Sequence, residues 1–388
     1  MTAPSSDVYD ALLLLSFGGP EGPEEVLPFL ENVTRGRGIP RDRLREVGEH
    51  YYHFGGVSPL NRLNREIIEH LEAALRERGD DLPVYFGNRN WHPFAEEAVA
   101  QMSRDGVRRA VVLATSAWGG YSACRQYDED IQRMKEHLAA DGLADIHFLK
   151  LRQFYDHPLF IDAQAASLRA AYAKVGVEDP AAVDPHRTRL IFTAHSVPVA
   201  ADRAAGGQEA PQLYSRQIAE AARLVAEELG VEDYDVAWQS RSGAAHIPWL
   251  EPDVVDHLGS LLGGGSLETI VVCPLGFLSD HMEVVWDLDT ELADAAKEAQ
   301  IGMVRADTVG GFPQFTQLVL ELLDEVREGT TPRRLGSLPA AGQTLDGAPC
   351  AGGCCVNPRP RHLGNSGHPG HPGTAHVTGR PQREERIS

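Results

Sequence analysis

The chain has 388 residues, 24% charged and 42% apolar, with a formal net charge of −20 and a pI near 5.2. That is room for two domains with sizeable cores, and the acidic balance argues against a nucleic-acid binder while suiting a protein that handles cations. Its longest apolar runs, 11–15 and 269–278, fall well short of the ~20 residues a bilayer crossing needs. No basic-then-apolar leader is seen, so a cytoplasmic protein without stable membrane insertion is expected.

Ala11 to Phe17 is a continuous apolar run, as in a parallel strand covered on both faces. Gly18, Gly19 and Pro20 end it, and Pro23 opens a helix. Residues 34–45 form a basic patch with Arg35, Arg37, Arg41, Arg43 and Arg45. It reads either as a solvated face or as a lip for carboxylates or phosphates, which guanidinium suits. Gly55 and Gly56 turn the chain, and Ser58-Pro59 is expected to cap an amphipathic helix reaching about Arg78.

Strands near 84–87, 109–115, 146–151, 190–194, 235–239, 268–273 and 303–307 then alternate with helices near 94–103, 122–140, 160–174, 213–228, 253–262, 282–299 and 314–328. This alternation predicts an α/β fold of two similar Rossmann-like, doubly wound domains with parallel sheets, hinged at the polar stretch 176–188. From about Thr331, Pro, Gly and His dominate, and a disordered tail is expected beyond Asn357. His362, His368, His371 and His376 read there as solvated loop residues.

Within the helix predicted at 282–299, carboxylates stand at Glu283, Asp287 and Glu291, just after His281. At ~100° per residue this spacing puts them within an arc of about 80°. Like charges so placed repel, and no Lys or Arg occurs between Asp280 and Lys297. The row is either a solvated acidic face or a set of hard oxygen ligands for a divalent cation beside an imidazole. Open α/β sheets bind ligands at the carboxyl ends of their strands, where His195 emerges from 190–194 and where 268–273 leads into His281 and Glu283. Walker, G-x-G-x-x-G and G-x-S-x-G patterns are absent from such positions.

The chain resembles the ferrochelatases from about Ala11 to Glu328. The resemblance is carried by Leu14 to Glu21, Gly55 to Leu60, Tyr121 to Tyr127, Thr193-Ala194-His195-Ser196-Val197-Pro198, Pro248-Trp249 and Gly276 to Val284. It implies insertion of ferrous iron, the metal substrate, into a porphyrin in haem biosynthesis, in a cleft between two α/β domains. On that basis 1–183 is expected as the first domain with the porphyrin lip, 184–312 as the second, carrying His195 and Glu283. The span 313–330 is then a helix packing back on the body, and 331–388 a cluster-ligand segment and tail. The resemblance places His195 and Glu283 at the two principal catalytic positions, with Asp287 and Glu291 on an acidic ridge for the metal. A base near neutrality suits removal of the pyrrole protons, which points to His195. Glu283 would aid metal delivery or proton removal.

Phe17, Trp249 and His281 are expected against the macrocycle, with Arg35, Ser58 and Tyr127 as propionate contacts. The polar, arginine-rich lip favours coproporphyrin III, with four propionates, over protoporphyrin IX. Phe17 stands where some bacterial members carry a metal-touching tyrosine, so no ligand role transfers to it. Cys124, Cys350, Cys354 and Cys355 supply four thiolates, enough for a [2Fe–2S] centre or a structural zinc. Some ferrochelatases carry such a cluster with one ligand in the body and three near the C-terminus. Cys273, in an apolar strand, reads as a buried bystander. A cobalt or nickel chelatase of a sirohydrochlorin-type ring and a metal or haem carrier are the alternatives, and later enzymes of the haem pathway are the expected protein partners.

Overall fold

The computed structural model describes residues 9–208, 210–242, 246–340, 350 and 353–356. They lie in one compact unit, Met1–Pro358. The second unit, Arg359–Ser388, and with it the tail histidines, lies outside the described residues.

Eight short apolar stretches form two four-stranded sheets. In the first, β1 (Ala11–Ser16) lies between β2 (Val84–Asn88) and β3 (Arg109–Ala114), with β4 (His147–Lys150) outermost. In the second, β5 (Thr188–His195) lies between β6 (Tyr234–Gln239) and β7 (Thr269–Cys273), with β8 (Gly302–Arg305) outermost. Every pairing is parallel, in registers such as Leu13 opposite Tyr85 and Val112, and Phe192 opposite Val236 and Cys273. Every residue of β1 is buried, in keeping with its run of four leucines, Leu12 to Leu15. Both sheets have the order 2-1-3-4 in their own strands, so each reverses direction between its first and third strand. Such a switch point opens a crevice at the carboxyl edge.

The first sheet is joined by α1 (Val26–Val33), α2 (Arg41–His53), α3 (Leu60–Glu77), α4 (Ala95–Arg104), α5 (Gln126–Ala140) and α6 (Pro158–Lys174). The second is joined by α7 (Val199–Ala204), α8 (Leu213–Leu229), α9 (Val254–Leu262), α10 (Met282–Trp286) and α11 (Ala293–Glu298), and α12 (Pro313–Glu328) follows. Val99, Met102, Ile131 and Met134 of α4 and α5 cover one face of the first sheet. The other face shares a continuous core with the second sheet, running from Leu12 and Leu14 through Phe160, Ile161 and Leu168 to Phe192 and Val271. Helix α6 is the common wall: it packs on α8, α12, β7 and β8, and Ser167 Oγ donates to the Asp307 carbonyl at 2.7 Å. Helix α12 returns to α3 and α6, tied by a buried bidentate pair in which Arg152 donates to Glu325 at 2.6 and 2.7 Å.

Four local expectations are corrected. The helix expected across 282–299 is interrupted by a π turn, Asp287–Leu292, between α10 and α11. The helix expected from 122 begins with a π turn, Tyr121–Arg125. Ser58 does not cap α3: Pro59 holds the cap position without a side-chain bond, and Ser58 Oγ only reaches Leu60 N at 3.5 Å. Helix α2 falls where only a basic patch was read, because its buried residues, Leu44, Gly48 and Tyr51, are few among its charges.

Candidate active site

His195 ends β5, and Glu283 opens α10 beyond the loop that leaves β7. These strands flank the second sheet's switch point, so the topology brings together groups 88 residues apart, His195 Nε2 lying 3.2 Å from Glu283 Oε2. Gly276 permits the approach, for a Cβ there would lie 2.6 Å from Ala194 Cα. The other ring nitrogen, Nδ1, faces the Ser196 carbonyl at 2.5 Å. With an oxygen acceptor at each nitrogen, the ring is held as an imidazolium. Burial opposes that charge, but the hydrogen bond and charge of Glu283 outweigh it, and the His195 pKa is raised. Burial also opposes the Glu283 carboxylate, and His195 outweighs it, holding the carboxyl at about 2. The pair is nonetheless reached by solvent, with side chains 36% and 55% exposed.

The other carboxylates of the stretch divide cleanly. Arg305 takes Asp280 and Asp289 at 2.7–3.0 Å, which leaves Glu283, Asp287 and Glu291 on the other side. Ser240 Oγ donates to Asp287 Oδ2, and Gln239 Nε2 donates to the same oxygen at 3.3 Å. Burial, and then the charges of Glu283 and Glu291, push the Asp287 carboxyl up to about 7 against the pull of Ser240. Glu291 Oε1 accepts from Trp286 Nε1 at 2.8 Å, and the Trp286 ring stacks on His50 of α2 at 3.9 Å. His281 lies edge-on to Phe277 at 5.1 Å, and burial lowers its pKa. Among the described residues, no set of three or more His, Cys, Asp or Glu side chains is arranged to hold a metal ion.

The remaining expected contacts lie at varied depths. Phe17 is 40% exposed and meets Phe29 edge-on at 6.3 Å. Arg35 is exposed between α1 and α2. Trp249 is buried and pairs by backbone with Pro198. Ser58 is buried below Gly19. Tyr127 is buried beneath the Arg89 guanidinium, 4.6 Å from its ring, with its hydroxyl 3.3 Å from Thr115 Oγ1. A groove of ≈ 270 Å³ lies in the α1–α2 connection, lined by Glu31, Thr34 and Arg41, and contains neither His195 nor Glu283. Ser240, Gln239 and His50 had no local sequence signal. Only the position of Gln239 and Ser240 at the end of β6 could have marked them.

The four cysteines gather where the two sheets' loops meet. Cys124 lies in the first π turn. Cys354 Sγ is 3.5 Å from Cys355 Sγ, and Cys355 Sγ accepts from Gly206 N at 3.4 Å. Hydrogen bonds from Cys124 and Cys354 push the Cys350 thiol down, and the same contact with Cys350, then burial, pushes Cys124 up. Mutually hydrogen-bonded sulfurs met by N–H donors suit a thiolate-bound centre in donor type. Cys273 is buried in β7 against Gln164.

A parallel α/β body with an imidazole–carboxylate pair at a strand switch point has the layout of an enzyme that works at the carboxyl edge of its sheet. The ferrochelatase family model matches residues 9–327, and the chain belongs to this family, enzymes that insert iron into porphyrin. It is 59% identical over 90% of its length to a protein of Nocardia farcinica named coproporphyrin III ferrochelatase, 97% of which is covered. It is 57% identical over 92% of its length to one of the same name from Corynebacterium glutamicum, covered to 94%. A solved SirB from Bacillus subtilis with Fe3+ aligns with 84% of this chain and 100% of its own, at 13% identity and a TM-score of 0.48.

Proposed function

We propose that this enzyme inserts ferrous iron into coproporphyrin III, giving the iron coproporphyrin, with His195 and Glu283 as its central pair. The observation that carries the reading is the 3.2 Å contact of those two groups at a switch point in a chain of the ferrochelatase family. A free-base porphyrin must shed two pyrrole protons before a metal can enter. The neutral form of His195 accepts them one at a time, Glu283 stabilising the imidazolium that forms, and Asp287, poised near neutrality, relays protons onward toward Glu291. Iron held by imidazole and carboxylate is bound weakly enough to be released to the ring. Phe17, His281 and Trp249 would bear on the macrocycle, and Arg35, Ser58 and Tyr127 on its propionates.

The names of the relatives and the arginines from Arg35 to Arg45 support the tetra-propionate substrate. The purified enzyme should metallate coproporphyrin III faster than protoporphyrin IX with ferrous iron. Faster turnover of protoporphyrin overturns the substrate assignment, and stoichiometric binding without turnover favours a carrier instead.

We further propose a [2Fe–2S] cluster on Cys124, Cys350, Cys354 and Cys355. It is supported by the hydrogen bonds that link Cys350 to Cys124 and to Cys354, by the 3.5 Å contact of Cys354 with Cys355, and by the N–H donors to Cys124 and Cys355. Such a cluster would supply a one-electron couple. Five unpaired cysteines suit the reducing cytoplasm, where the product would pass to later enzymes of haem synthesis. Protein purified without bound iron and sulfide would end the cluster assignment.

A further inference from the structure

A buried lysine lies beneath the cysteine group. Lys150 ends β4, and its side chain is 2% exposed. Its ammonium meets Asp128 Oδ1 at 2.5 Å, the Cys124 carbonyl at 3.1 Å and Cys124 Sγ at 3.3 Å. An ammonium has three donors, so each has a directed acceptor. Gln153 Nε2 points at the same sulfur from 3.5 Å. A void of ≈ 10 Å³ lined by Cys124, Lys150 and Gln153 leaves the sulfur's surroundings incompletely filled.

A neutral thiol is a weak acceptor, and two side-chain donors aimed at one sulfur, one of them cationic, exceed what it can use. Burying an ion pair costs several kcal/mol per ion unless the geometry is good and the remaining protons find partners. Here the third partner is Cys124. The arrangement therefore suits a sulfur that carries negative charge when its site is filled.

We propose that Lys150, balanced by Asp128 and joined by Gln153, positions Cys124 as a thiolate ligand and sets the reduction potential of the cysteine centre. The inference rests on the cluster reading above. One-electron reduction adds one negative charge to a cluster, and a cation hydrogen-bonded to a ligand sulfur favours the reduced form. Lys150 thus raises the potential.

The test uses the full-length chain purified anaerobically, with iron and acid-labile sulfide measured before titration with dithionite. K150M alone would strand a buried Asp128 carboxylate. The K150M/D128L pair removes both charges together, a change that buried ion pairs often tolerate, and Q153L removes only the second donor. At a fixed potential the double variant should show a reduced-to-oxidised ratio at least tenfold lower than wild type, about 59 mV for a one-electron couple. Q153L should shift the same way by less. Loss of cluster from a double variant that melts like wild type also supports the assignment. A loaded double variant and a loaded Q153L that both titrate with wild type overturn the role of Lys150 and leave the cluster reading intact. Wild type that takes up no iron and sulfide on anaerobic reconstitution removes the cluster reading, and this inference with it.

Discussion

Two oxygen acceptors, one at each nitrogen of His195, define the chemistry at the scale of single residues. H195A should abolish iron insertion while a porphyrin-binding titration remains measurable, because it removes the imidazole base and leaves the residues proposed to bear on the macrocycle in place. Near-normal turnover in that variant would refute the assignment. Ser240 sits in the left-handed region at φ 62°, an uncommon conformation for a residue other than Gly, Asn or Asp, and its hydroxyl fixes Asp287. S240A should lower kcat by about tenfold or more with KM little changed, since a misplaced relay group costs rate rather than binding. The meeting of His195 and Glu283 was legible from their motifs. Ser240 was not, for its partner is 47 residues away and nothing local in Gln239-Ser240-Arg241 announces a hydrogen bond.

Among elements, strands were the most legible, because parallel strands buried on both faces read as runs such as Leu12 to Leu15. The π turn at Asp287–Leu292 was not, since helical residues accommodate either hydrogen-bond pattern and the choice lies with packing. Lys150 was hidden in the opposite way. A charged residue in a buried strand invites notice, yet its partners Cys124 and Asp128 come from a π turn and from α5. Between elements, the Arg152–Glu325 pair joins the exit of β4 to α12 with side chains 5% and 4% exposed. R152M should destabilise the protein by about 3–5 kcal/mol in denaturant unfolding, because it strands a buried carboxylate, whereas R152M/E325L should recover most of that loss. Equal destabilisation by both variants would show that packing, not charge, is responsible.

For the molecule as a whole, acid sensitivity follows from His157, whose side chain has no exposure. Burial, with the nearby Arg152 and Arg333, lowers its pKa from 6.5 to about 3. Glu321, 3.2 Å away, is already bridged by Arg333 and does little to offset this. Above pH 6.5 the ring is neutral in both folded and unfolded chains, and it contributes no pH dependence. Between pH 6.5 and 3 only the unfolded chain binds the proton, so stability falls by up to about 1.4 kcal/mol per pH unit. H157N, which can still accept the Leu159 N–H that His157 accepts at 3.2 Å, should flatten that part of the stability–pH curve. An unchanged slope would assign the acid loss elsewhere. The shared core was illegible at this scale, because α6, which precedes the polar stretch 176–188 in the chain, packs on β7 and β8 far beyond it, and such distant contacts leave no local pattern.

Trp118 Nε1 donates to the Gly276 carbonyl at 3.0 Å, and Gly119 N donates to Gln217 Oε1 at 2.6 Å, so the two halves are joined by direct hydrogen bonds beside the carboxyl edge. Helices α1 and α2 meet the second half through Phe29, Leu30 and Tyr51, which pack in one cluster with Met282, the residue next to Glu283. Any loosening of that small cluster would therefore be felt directly by the carboxylate that faces His195.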